Sequence, residues 1–247
     1  MKKLAYISCF ILLISCNKEN VNNCLQTAGE IVQQEITVDT FDKILVNKRV
    51  ELIITDGPVQ KVVIETGKNL LPDVEVKVVN KQLILTNNNT CNFFRDYGLT
   101  KIHVTSPNIN TIRNASEQRV ISNGTLTYPL LYLRSSGEKK KFLATGDWYL
   151  TIENEKVIVW GNGVANFYIN GSSNNLDIGF TDGDTRFEGK NFIVQNIEVK
   201  NVSSNDIIIY PVESLTGSIH SVGDVISYNR PPIVDVEILS EGELIFK

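Results

Sequence analysis

The second half of the chain repeats itself. The segments "TIRNASEQRVISNG" (111–124), "YLRSSGEKKKFLATG" (132–146), "IVWGNGVANFYING" (158–171), "IGFTDGDTRFEG" (178–189), "VKNVSSNDIIIY" (199–210) and "SIHSVGDVISYN" (218–229) each run strand, small polar kink, strand. The kinks centre on Ser116, Gly137, Gly163, Gly183, Ser204 and Gly223, at spacings of 21, 26, 20, 21 and 19 residues. The apolar residues alternate with period two and no amphipathic helical stripe interrupts them. A period near 21 built of strands alone implies an all-β chain that lays down one turn of a β-solenoid per repeat. Ile112, Leu133, Val159, Ile178, Val199 and Ile219 would point inward before the kink. Val120, Phe142, Phe167, Phe187, Ile208 and Ile226 would do so after it. A side chain at a stacked corner clashes or needs positive φ, which explains the Gly and Ser there. The Leu/Asn pattern of a leucine-rich repeat is absent; a β-sandwich with evenly spaced strands is the competing architecture.

The first half is strand-rich without that period. "FDKILVNKRVELIITDG" (41–57), "KVVIETG" (61–67), "VEVKVVNKQLILTNN" (74–88) and "KIHVTSP" (101–107) alternate well. Asp56-Gly57 and Asn80-Lys81 fall where hairpin turns are expected.

The amino terminus sets a compartment. Lys2 and Lys3 precede an apolar run, "LAYISCFILLI" (4–14), of signal-peptide length. It ends Leu13-Ile14-Ser15-Cys16, which resembles a bacterial lipobox. That resemblance implies cleavage before Cys16, a diacylglyceryl group on its sulfur and acylation, palmitate included, of the new amino terminus. Two or three chains anchor stably where one is marginal. The expected organisation is a signal peptide at 1–15, a lipidated terminus and tether at 16–35, and a single domain at 36–247. Asn17 is not the aspartate that retains lipoproteins in the inner membrane, so a lipid-anchored place in the outer membrane of the cell envelope is favoured. The remaining cysteines are Cys9, in the leader, and Cys24 and Cys91. An even pair in an oxidising compartment suggests a Cys24–Cys91 disulfide, worth on the order of 4 kcal/mol by chain entropy. Two free, buried thiols are the alternative.

From Cys16 onward the chain has 22 basic against 28 acidic residues. That balance argues against a nucleic-acid partner, whose phosphates need a basic surface. His103 and His220 are the only histidines and no CxxC occurs, so no metal or other cofactor is expected. The acidic group in "DIGFTDGDTRFEG" includes Asp182 and Asp184, which flank a glycine where turn chemistry alone wants them. Ca²⁺ or glycosidic chemistry is the other use of such carboxylates. Neither histidine has the Ser/Asp arrangement of a triad, and no catalytic residue is assigned. Trp148, Tyr149 and Trp160 lie on consecutive repeats; they are either core filling or a platform for a ligand. Together with Asp182 and Asp184 they are the candidate ligand-binding residues.

The stretch from Phe41 to Leu85, with Phe41-Asp42-Lys43-Ile44, Gly67-x-Asn69-Leu70-Leu71 and Leu83-Ile84-Leu85, followed by Ser/Gly-centred repeats, resembles the head GIN family, also called auto-transporter adhesins. The likeness covers roughly residues 36 to 240. It implies a right-handed parallel β-helix-like fold on an exported lipoprotein, and it brings no catalytic residues. The function expected is a non-enzymatic binding, adhesive or structural role at the envelope. The partners expected are the membrane, through the lipid, and an envelope or glycan ligand. The alternative is a carbohydrate-binding or carbohydrate-active β-helix protein that uses a lateral face. "ASEQ" and "VSSN" depart from the family's glycine-rich repeats.

Overall fold

The computed structural model describes residues 26–90, 96–137 and 144–247. Cys16, Cys24, Cys91 and Phe142 lie outside the described residues, and with them the anchor and the disulfide. The described chain is all-β apart from one 3-10 turn at Leu71–Asp73, and its strands join one hydrogen-bonded sheet.

That sheet has two series of parallel strands. Four long strands, β11 (Trp148–Gly161), β12 (Asn166–Phe180), β13 (Arg186–Asn201) and β14 (Ile207–Ile219), belong to both: the amino-terminal half of each lies in the first series and the carboxyl-terminal half in the second. The first series runs β7 (Lys101–Ser106), β3 (Glu51–Asp56), β9 (Val120–Leu126), β11 to β14, β15 (Val225–Ser227) and β17 (Leu244–Phe246). The second runs β6 (Gln82–Asn87), β2 (Lys43–Val46), β8 (Thr111–Asn114), β10 (Leu130–Ser135), β11 to β14 and β16 (Ile233–Ile238). Antiparallel strands close the beginning. β4 (Lys61–Gly67) pairs with β7, β1 (Ile31–Ile36) with β4, and β5 (Val74–Val79) with β6.

In-register pairing turns the sequence period into rows. Ile112, Leu133, Val159, Ile178 and Val199 pair successively, as do Val120, Trp148, Phe167, Phe187, Ile207 and Val225. All are essentially without exposed surface and belong to one apolar cluster. Burial of each such side chain stabilises by roughly 1.5–3 kcal/mol. Trp148 stacks on Phe167 at 5.2 Å between ring centroids, and Phe167 lies 6.2 Å from Phe180.

The last turns differ from the expected register. Ile207 and Val225, not Ile208 and Ile226, are the inward partners of Phe187. The cause lies at the corner: the Ser204 N–H donates to the Gly183 carbonyl just as the Asp184 N–H donates to the Gly163 carbonyl, so Ser203 rather than Ser204 matches Gly183. The following strand therefore starts a residue sooner. Ile219 is inward, but Gly217 is the residue that pairs with Val199.

The corners follow the small residues. Gly183 has φ +81°, and a Cβ there would sit 2.3 Å from the Gly163 carbonyl oxygen. Asn80 and Lys81 both have positive φ, and Val79 pairs with Gln82, so this two-residue loop is the expected hairpin turn. Asp56-Gly57 is not one: β3 and β4 do not pair, because β7 lies between them.

Candidate functional site

Alternation sends every second residue of these strands outward. On the second series the outward row reads Arg113, Arg134, Trp160, Gly179, Lys200 and Ser218. The Arg134 guanidinium carbon lies 4.6 Å from the Trp160 ring centroid. Gly179 presents no side chain, which leaves a notch of about 220 Å³ between Trp160 and Lys200, walled by Ile158, Asp177 and Glu198. Trp160 and Lys200 are two strands apart, roughly 10 Å at the usual strand spacing. Lys156 holds the Asp177 carboxylate at 2.6 Å. The notch thus offers an aromatic flank, two carboxylates and the Lys200 ammonium, with one of the carboxylates, Asp177, already paired to Lys156.

The first series carries a different row on its other face: Ile121, Tyr149, Tyr168 and Glu188, then Ile208 and Ile226, which are largely covered. Tyr149, 41% exposed, stacks on Tyr168 with ring centroids 4.9 Å apart and 8° between planes. Burial, and then Asp147, push the Tyr168 phenol above its ordinary value. Beside them Arg186 bridges Glu188 at 2.7 Å and Asp206 at 3.0 Å. Its charge is held by those two carboxylates.

The five candidate residues are therefore dispersed. Trp148 is in the core and has no surface to offer a ligand. Tyr149 and Trp160 face outward from different strand series. Asp182 and Asp184 are exposed at a corner. Asp182 accepts the Gly183 N–H at 2.8 Å and Asp184 the Ser204 hydroxyl at 2.8 Å. Both carboxylates thus serve the turn. Among the described residues no three His, Cys, Asp or Glu side chains are grouped to hold a metal ion. His103 contacts Glu65 at 3.2 Å and His220 contacts Ser218 at 2.8 Å. Asp177 belongs to the acidic group noted in the sequence, whereas Gly179, Glu198, Lys200 and Arg134 were missed by sequence reasoning. Aligning "IVWG" (158–161), "DIGF" (177–180) and "EVKN" (198–201) shows them, since the missing side chain falls between Trp160 and Lys200.

Comparison with known proteins agrees with this architecture. The family model described as "Putative auto-transporter adhesin, head GIN domain" matches residues 40–231. A "putative adhesin" from Bacteroides fragilis NCTC 9343, solved by crystallography, superposes with a TM-score of 0.77 at 18% identity, over 90% of this chain and 99% of that one. A "putative lipid binding protein" from Parabacteroides distasonis ATCC 8503 gives 0.66 at 14% identity, over 89% and 97%. A "putative adhesin" from Parabacteroides merdae ATCC 43184 gives 0.65 at 15%, over 89% and 97%. At these identities the likeness is one of fold. No curated protein matches the chain. The family match spans most of the sequence, and the chain belongs to the head GIN family of putative auto-transporter adhesins.

Proposed function

We propose that this chain is an envelope lipoprotein that binds an extended ligand along the side of a β-solenoid and catalyses nothing. The family supports an adhesive role at the cell surface. The two parallel series with shared inward rows favour a parallel β-helix, and parallel crossovers are right-handed in about 98% of cases. The observation that carries the binding reading is the notch over Gly179, with Trp160 and Arg134 on one side and Lys200 on the other. A flat lateral face of stacked strands suits an extended partner. The aromatic flank with nearby carboxylates favours a glycan as that partner, since sugar rings stack on aromatic faces and offer hydroxyls to charged groups. The turn-bound state of Asp182 and Asp184 supports binding without turnover. Cys16 anchors the protein through acyl chains, and a Cys24–Cys91 disulfide ties the tether to the domain. The anchor is tested by Cys16→Ala. The protein should move from the detergent phase with membrane proteins to the aqueous phase, and continued pelleting with membranes would refute it.

A further inference from the structure

The second strand series begins on an open edge. Among the described residues β5 pairs with β6 alone, so its other side has no neighbouring strand. Such an edge either recruits another strand or is built to refuse one. The hairpin shows which backbone groups it presents. Asn80 and Lys81 both have positive φ, and a two-residue turn of that kind bonds Val79 to Gln82. Bonded and non-bonded pairs alternate along an antiparallel ladder. The N–H and C=O groups of Glu75, Lys77 and Val79 therefore point to β6, and those of Val74, Val76 and Val78 point away from it. The Val74 N–H donates to the Leu71 carbonyl. The N–H groups of Val76 and Val78 and the carbonyls of all three valines face the open side.

The side chains follow the same alternation. Val74, Val76 and Val78 are half-buried and pack against the core, while Glu75 and Lys77 are exposed on the other face. Glu75 and Lys77 lie 2.6 Å apart and pair with each other. The order valine, glutamate, valine, lysine, valine is its own charge complement when the strand is reversed about Val76.

We propose that this edge binds a second copy of the chain, β5 against β5, antiparallel across a two-fold axis at Val76. An axis perpendicular to the sheet keeps the core face on one side, so it must pass through a residue. On Glu75 it sets that carboxylate against the partner's Glu75. On Lys77 it sets two ammonium groups together. On Val76 it places each Glu75 opposite the partner's Lys77 and Val74 opposite the partner's Val78, and the four charges alternate in sign. The open backbone groups then meet as donors and acceptors: the Val76 N–H reaches the partner's Val76 carbonyl, and the Val78 N–H the partner's Val74 carbonyl. Opposite charges across an antiparallel pair stabilise it and like charges destabilise it. The far end of the same series shows the contrast. Among the described residues β16 pairs with β14 alone, and the same symmetry there sets Asp235 or Glu237 against an acid of the partner. Self-pairing is favoured at one edge and opposed at the other, so the assembly closes at two copies. A single strand edge is a small interface, and the dimer should dissociate in the micromolar range. The dimer does not depend on the lateral notch.

The test is sedimentation velocity of the full chain across micromolar concentrations, in excess detergent matched to the solvent density. Wild type should pass from monomer to dimer as concentration rises. Lys77→Glu and Glu75→Lys each set like charges across the axis at exposed positions, and each should weaken dimerisation about tenfold or more. The double variant Glu75→Lys/Lys77→Glu restores opposite charges in the reverse sense and should dimerise as wild type does. That recovery separates pairing from a folding defect. Wild type that stays monomeric, single variants that dimerise normally, or a double variant that fails to recover would overturn the proposal. Species growing beyond two copies, as end-to-end pairing of β16 with β5 would give, would overturn it equally.

Discussion

Asn114 and Asn201 make the same corner on two different turns of the chain. Asn114 Oδ1 accepts the Ser116 N–H, and its Nδ2 donates to the carbonyls of Gln118 and Gly146. Asn201 Oδ1 accepts the Ser203 N–H, and its Nδ2 donates to the carbonyls of Asn205 and Gly223. Both side chains are fully buried. Each therefore closes its own corner and ties it to the next turn. The match extends to the glycines: a Cβ would sit 1.8 Å from the Gln118 oxygen at Gly146 and 2.1 Å from the Asn205 oxygen at Gly223.

Asn201→Ala removes one acceptor and one doubly used donor from a buried site. It orphans the Ser203 N–H and two carbonyls, so a loss of roughly 2–4 kcal/mol is expected in urea melts. Ser204, exposed at the same corner, should cost under about 1 kcal/mol as Ser204→Ala. Equal losses at the two positions would count against the corner described.

The register of the late turns is tested by neighbours. Ile207→Ala opens a cavity against Phe187 and should cost about 2–5 kcal/mol. Ile208, 9% exposed beside Glu188 and outside the apolar core cluster, should cost less as Ile208→Ala. The reverse order would restore the register expected from the sequence.

Glu65 supplies a pH dependence. Gln33 donates to its carboxylate at 2.8 Å, His103 lies at 3.2 Å and Lys101 at 3.6 Å. The Gln33 bond first, then His103 and Lys101, hold the carboxyl below its ordinary 4.5 against a contrary push from burial. A depressed folded pKa gives stability that is present above 4.5 and lost as pH falls through the folded value. Wild type should exceed Glu65→Gln by roughly 0.5–1 kcal/mol at pH 7. The gap should close as urea melts are carried down toward pH 3, and a gap that persists there would exclude this origin.

Much of the fold was legible because a parallel stack writes its period into the chain. Gly163, Gly183 and Gly223 fall in corners, and Asn80-Lys81 makes its hairpin. The half-step at Ile207 was not legible, since Ile207, Ile208 and Ile209 are all apolar and alternation cannot choose between them. The place of β2 and β3 was hidden for another reason. They lie between β6 and β8, and between β7 and β9, so stacking order departs from chain order. Asn87, which bonds the Asn89 N–H as Asn114 bonds Ser116, was the local sign that the early strands share the same corners. The lateral notch escaped notice because it consists of an absent side chain, visible only once Trp160, Gly179 and Lys200 are set in register.

The proposed binding without turnover is tested at the notch over Gly179. A Cβ at Gly179 would meet only Trp160 Cδ1, at an ordinary 3.5 Å, so Gly179→Ala should fold normally while filling the notch. The decisive measurement presents residues 24–247, as wild type, Gly179→Ala and Trp160→Ala, to arrayed envelope and plant polysaccharides while released reducing ends are assayed, with and without Ca²⁺. Wild type should bind, both variants should bind about tenfold more weakly, and no sugar should be released. Binding unaffected by both variants, or turnover abolished by Asp182→Asn or Asp184→Asn, would contradict it.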